Sequence, residues 1–231
     1  MQEYLSRAAR EYDIALSPQQ QELLCRFGAM LLEKNQVMNL TAITDPEAVA
    51  LQHFIDCLQL FQAADFSGKR VIDIGCGAGF PGIPLLIAQP ELRLTLLDST
   101  AKRVRWLQDE VLPTLGLRAD CVIARAEEHV STCRESYDFA VCRAVAQLNI
   151  LAELCLPYVK PGGSMLAMKG PGAQEEVQAA GRAITALGGK VTRILPYRLG
   201  EATHQIVVIS KTAPTPARYP RRFSQIRQKP L

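Results

Sequence analysis

From residue 17 onward the apolar positions recur first at helical and then at strand spacing. Ser17-Pro18-Gln19-Gln20 forms a capping box with proline at the first helical position, and Leu23, Phe27, Met30 and Leu31 follow along one helical face. This predicts an amphipathic helix. After the turn-like Asn39-Leu-Thr-Ala-Ile43, a second start at Asp45-Pro46-Glu47 leads into Val49, Phe54, Leu58 and Phe61. Within it His53 and Asp56 share a face. No nucleophile accompanies them, so a packing or hinge contact is expected rather than a catalytic pair. Residues 1–65 read as a helical cap.

From Arg70 the pattern alternates. Apolar runs predict strands near 70–75, 93–98, 119–124, 138–142, 164–169, 190–195 and 205–210, with helical stretches between most of them. Parallel strands joined by helices build a doubly wound sheet whose ligands lie beyond the carboxyl ends of the strands. Val191 to Leu195 and Gln205 to Ile209 lack a helical link and predict an antiparallel hairpin. The expectation is an α/β, Rossmann-like domain over 66–211, with a mostly parallel seven-stranded sheet and an antiparallel last strand.

The first strand runs into the most informative loop, Val71-Ile-Asp-Ile-Gly75-Cys-Gly77-Ala-Gly79-Phe80. Glycines there allow positive φ and a side-chain-free approach to a ligand, and the next helix begins with unpaired N–H groups. A dinucleotide fingerprint places Gly or Ala where this chain has bulky Phe80, which argues against a pyrophosphate. An acid on the strand followed by G-x-G-x-G is instead the pattern of an S-adenosylmethionine (AdoMet) loop. Leu94-Thr-Leu-Leu-Asp98 ends the next strand on a carboxylate about twenty residues later, the distance at which such folds hold a ribose diol. A reversed final strand also suits an AdoMet-dependent methyltransferase fold better than a dehydrogenase.

Composition narrows the class. At 231 residues and 48% hydrophobic, the chain can bury a large core. No apolar run suits a membrane span and the N-terminus does not resemble a signal peptide, so a cytoplasmic protein is expected. A monomer is the expected state. The seven cysteines are scattered without a C-x-x-C pair, which indicates neither a disulfide framework nor a zinc site. Net charge is only +3, yet residues 212–231 carry five basic side chains and no acid. A basic tail of this kind predicts either a nucleic-acid arm or a solvated end.

One family collects these features. Asn39-Leu-Thr-Ala-Ile43, His53-x-x-Asp56, Asp73-Ile-Gly-Cys-Gly-Ala-Gly-Phe-Pro-Gly-Ile-Pro84, Leu97-Asp-Ser99, Lys102-Arg-Val-Arg-Trp-Leu107, Arg125-Ala-Glu-Glu128, Tyr137-Asp-x-x-x-x-Arg143-Ala, Lys160-Pro-Gly-Gly163 and Lys169-Gly170 occur in order. The set resembles the ribosomal RNA small subunit methyltransferase G family, also called glucose-inhibited division protein B. The resemblance implies methyl transfer from AdoMet to N7 of one guanine in 16S rRNA, with rRNA or the small subunit as partner and neither DNA nor membrane involved. It implies cofactor contacts at Gly75 and Phe80 in the loop, at Ala126 and Glu127 beside adenine, and at Arg143, which offers a fork for a carboxylate or a phosphate; bare backbone at Gly75 and Gly77 can approach the methionyl end. Asp98 is the expected ribose acceptor. A salt bridge from Arg143 to Asp138 or Glu127 is the plainer alternative.

The N7 lone pair is free at neutral pH, so alignment suffices and no catalytic base is expected. Pro-Cys and Asp/Asn-Pro-Pro-aromatic sequences, which serve pyrimidine C5 and exocyclic nitrogens, are missing. Lys102, Arg103, Arg105, Lys169, Arg221 and Arg222 are candidate phosphate contacts, the first three alternatively an exposed helix face. A methyltransferase on a non-RNA substrate and a non-catalytic rRNA-binding or assembly factor are the competing readings. The tail also departs from the family by lacking a Gly-x-Pro after Pro220-Arg-Arg222.

Overall fold

Residues 1–231 are described by a computed structural model. Seven strands, β1 (Arg70–Ile74), β2 (Arg93–Asp98), β3 (Asp120–Ile123), β4 (Tyr137–Arg143), β5 (Val159–Lys169), β6 (Gly189–Leu199) and β7 (Ala202–Lys211), form one sheet in the order β3-β2-β1-β4-β5-β7-β6. The first five run parallel, and β7 is antiparallel to both of its neighbours. The order reverses between β1 and β4, so a crevice opens at their carboxyl ends, where the glycine loop leaves β1.

Alternate residues serve opposite faces. Ile206 and Val208 join one apolar core while Val207 and Ile209 join the other. The first core is completed by the helices Gln2–Glu11 and Pro18–Met38 through Leu5, Leu24, Phe27 and Leu31. The N-terminal helices are therefore one layer of the fold. Ser17 and Gln20 exchange the reciprocal bonds of the capping box, and Asp45 caps the next helix by accepting from the Ala48 amide at 2.8 Å. A π-helical turn, Ala50–Ile55, then continues into Asp56–Leu58.

Two segments differ from the sequence expectation. The hairpin is longer, with Leu199 paired to Ala202 across Gly200-Glu201. Pro196 is tolerated because β6 is an edge strand, where a missing N–H costs no ladder bond. The basic tail is a packed segment and not an arm. Arg134 donates to the carbonyls of Tyr219, Thr215 and Pro216, Ile226 is fully buried, and Phe223–Gln228 is a short helix.

Buried Asp73 fixes the end of the glycine loop by accepting from the Gly82 amide at 2.8 Å. A Cβ on Gly82 would lie 2.8 Å from that same carboxylate oxygen and 2.8 Å from Leu96 Cδ2. Gly82→Ala is expected to lower stability by about 1–3 kcal/mol, as overpacking does. Urea unfolding checks this, and an unchanged midpoint would show that the loop yields freely.

Candidate functional site

The loop is fastened to β2 before it meets any ligand. Leu97 O accepts from the amides of Gly75 and Cys76 at 2.8 and 3.1 Å. The Asp98 carboxylate accepts from Gly77 N at 3.0 Å through one oxygen and from Thr100 N at 2.7 Å through the other. Each oxygen keeps a lone pair for a further donor. Gly75 has φ 72, and a Cβ there would strike Val145 at 2.8 Å, so glycine is required by conformation and by space. Beyond these strand ends lies a cavity of about 370 Å³ bounded by Gly75, Asp98, Arg103, Ala126, Glu127 and Phe223. Tyr158 steadies its far side by donating to Ala126 O at 2.7 Å, and the Arg125 Nε–Glu127 pair closes at 3.1 Å.

A second cleft, of about 520 Å³, opens on the other side of the β4 end. His53, Asp56, Arg143, Met168 and Lys169 are among its walls, and Ala144 borders both cavities. Arg143 Nη1 donates to Asp56 Oδ2 at 3.0 Å and to Gln52 O at 2.9 Å, while Nη2 donates to His53 Nδ1 at 3.0 Å. Arginine has no acceptor, so His53 Nδ1 must accept. The proton therefore sits on Nε2, which lies 2.8 Å from Thr41 Oγ1. Tyr197 donates to the second Asp56 oxygen at 2.7 Å, and His204 Nδ1 lies 3.6 Å from it. Burial, with Arg143 second, pushes the His53 imidazole down to about 3.

A profile of the GidB family, described as rRNA small subunit methyltransferase G, matches residues 20–205. A protein of that name from Alkaliphilus metalliredigens is 45% identical over 98% of this chain and 97% of its own length. The chain belongs to the rRNA small subunit methyltransferase G family. Relatives so named from Moorella thermoacetica (42% identity, 98% of this chain, 97% of theirs) and Alkaliphilus oremlandii (41%, 100% and 99%) agree. Among solved structures, a SAM-dependent methyltransferase from Aquifex aeolicus superposes at TM-score 0.53 with 20% identity, over 71% of this chain and 93% of that one. Mitomycin 7-O-methyltransferase superposes at 0.57 with 18% identity, over 90% and 72%, so the fold is that of these enzymes.

The residues named for the rRNA small subunit methyltransferase G resemblance fall into three groups. Gly75, Asp98, Ala126 and Glu127 meet at the first cavity, and Gly77 is tied to it through Asp98. Phe80 does not line that cavity, contrary to expectation. Its ring stacks on His53 at 4.5 Å and packs on Phe27 at 5.3 Å, joining the loop to the N-terminal helices. Arg143 faces the second cleft, and its carboxylate partner is Asp56 instead of Asp138 or Glu127.

The basic candidates divide as well. Lys102, Arg105 and Arg222 are exposed. Arg103 lines the first cavity, and its Nε is buried without a partner. Lys169 and Arg221 do not fit a role as free phosphate ligands. Lys169 Nζ lies 2.7 Å from Glu176 and 2.7 Å from Ala146 O, and Arg221 is bound to fully buried Glu153. Sequence reasoning missed Tyr197, His204 and Phe223. The first two sit in a stretch lacking a clear strand pattern, and the charge of the tail obscured the third.

The unfolded His53 imidazole titrates near 6.5 and the folded one near 3, so between these values the unfolded chain alone takes up a proton. Stability from this group is present above about pH 6.5 and falls with pH below it, by up to about 1.4 kcal/mol per unit. Asp73, pushed up to about 7 by burial, works in the opposite sense but is unchanged in a His53 variant. Urea unfolding of His53→Gln from pH 6.5 to 4 should therefore show a shallower acid loss than the parent. Parallel stability curves would contradict this assignment.

Proposed function

We propose that the chain transfers the methyl group of AdoMet to N7 of a specific guanine in the small-subunit rRNA. The observation that carries this reading is that a donor-sized cavity and a separate cleft, the latter walled by His53 and the Arg143–Asp56 pair, meet at Ala144. The first cavity fits the cofactor. Asp98 keeps acceptor capacity for a ribose diol, Ala126 and Glu127 border the adenine end, and Gly75 and Gly77 give bare backbone to the methionyl end. The orphaned Arg103 Nε adds a donor in want of an acceptor. When bound, AdoMet supplies an electrophilic methyl group.

The second cleft suits the acceptor base. Alkylating N7 places positive charge on the guanine, so an uncompensated cation nearby would oppose the reaction. The cleft avoids one. Arg143 is paired with Asp56, Lys169 with Glu176, and His53 is held neutral. What remains is alignment and exclusion of water, which the reaction needs because guanine N7 requires no deprotonation. An unstacked base entering such a cleft is how proteins usually reach a reacting nucleobase. Exposed Lys102, Arg105 and Arg222 are the side chains proposed to take rRNA phosphates, and the shared name of the relatives supports rRNA as the acceptor class.

Small ribosomal subunits lacking the modification, incubated with the protein and AdoMet, should gain 7-methylguanosine at one position by nucleoside mass spectrometry. Arg143→Ala should lower the turnover rate by about 100-fold, as loss of alignment does. Absence of 7-methylguanosine while S-adenosylhomocysteine still binds would overturn the reading.

A further inference from the structure

We propose that Phe223, carried by the C-terminal helix, is the outer wall of the cofactor cavity and contacts the adenine end of the ligand. The proposal rests on the cofactor assignment above. Phe223 is the one residue of the last twenty that borders the cavity. The guanidinium carbon of Arg125 lies 4.1 Å from the centroid of its ring. Arg125 immediately precedes Ala126 and Glu127, so the ring stands at the β3 end of the cavity. With one face under Arg125, Phe223 presents its other face or edge to the cavity. A purine offered there would meet an aromatic surface, a contact indifferent to hydrogen-bond pattern and favourable to any base.

The ring is held in place by buried charge. Glu153 is fully buried on the helix Leu148–Cys155. It accepts from the Arg221 backbone at 2.8 Å, from Arg221 Nε at 2.9 Å and from Nη2 at 2.6 Å. Nη1 of the same arginine donates to Lys229 O at 3.0 Å, which ties the two ends of the short helix together. Upstream, Glu135 accepts from Thr215 N at 2.6 Å and from Lys211 at 2.9 Å. A carboxylate buried in the core needs its partner, so the segment is anchored by charge just before Phe223, and buried Ile226 packs it down just after. This places the basic tail in the cofactor site as well as on the surface.

Calorimetric titration with S-adenosylhomocysteine tests the assignment. Phe223→Ala should weaken binding by about 10-fold, the scale of losing one base–aromatic contact, in protein that urea unfolding shows to be fully folded under the titration conditions. Phe223→Trp should retain binding and report it directly. The chain has a single native tryptophan, the buried Trp106, so the parent protein gives the fluorescence baseline. A change in emission on adding the ligand, beyond that baseline, is expected. Binding of Phe223→Ala within two-fold of the parent, or an unmoved Phe223→Trp signal with ligand bound, would overturn the proposal. Failure of the parent itself to bind would instead remove the cofactor assignment on which it rests.

Discussion

A largely buried arginine at the end of a parallel strand needs partners, and the site is organised around supplying them. Arg143 finishes β4, and its bonds reach back to Gln52, His53 and Asp56 on the N-terminal helices. Removing one member of such a pair leaves a desolvated charge, at a cost of about 3–5 kcal/mol. The front helices are thus locked to the sheet at the point where a ligand enters. Phe80 extends the lock, since it touches His53 on one side and belongs to the glycine loop on the other. One contact set therefore fixes the cofactor loop, the cleft wall and the docking of the cap.

The same pairing sets the electrostatics of the cleft. Methylation of a neutral base creates a cation, and a site rich in unpaired Arg and Lys would resist it. In the cleft Arg143 and Lys169 each have a carboxylate, and exposed positive charge lies outside it on side chains such as Lys102, Arg105 and Arg222. In the proposed reaction, charge that would attract a polyanion is thereby kept apart from the place where new positive charge would appear. Tyr197, brought by the long hairpin, donates to the second Asp56 oxygen at 2.7 Å, with His204 nearby at 3.6 Å.

Local signals were legible in the sequence. The capping box at Ser17, the seven strands, the glycine loop and the acid at Asp98 are each specified within a few residues, and the structure has all of them, with β5 and the hairpin strands running longer than the pattern indicates. What could not be read depends on distance. Arg143 and Asp56 are 87 residues apart, and Arg221 and Glu153 are 68 apart. Nothing local distinguishes an arginine that meets a buried carboxylate from one that meets solvent. For that reason Lys169 and Arg221 resembled free phosphate ligands, and Phe80 resembled a cofactor wall. The tail was misread for a related reason, because its charge concealed Tyr219, Phe223 and Ile226, the apolar positions that pack it down.

The methyl donor and the acceptor base are proposed to occupy the two cavities that meet at Ala144, aligned by the Arg143 network. A crystal structure of the protein with S-adenosylhomocysteine and a guanine-bearing RNA fragment tests this arrangement most directly. The cofactor sulfur should point toward Ala144, with the guanine in the cleft beside Arg143 and His53 and its N7 facing that sulfur. A guanine bound elsewhere, with the Arg143 cleft left to solvent while the cofactor is in place, would contradict the account.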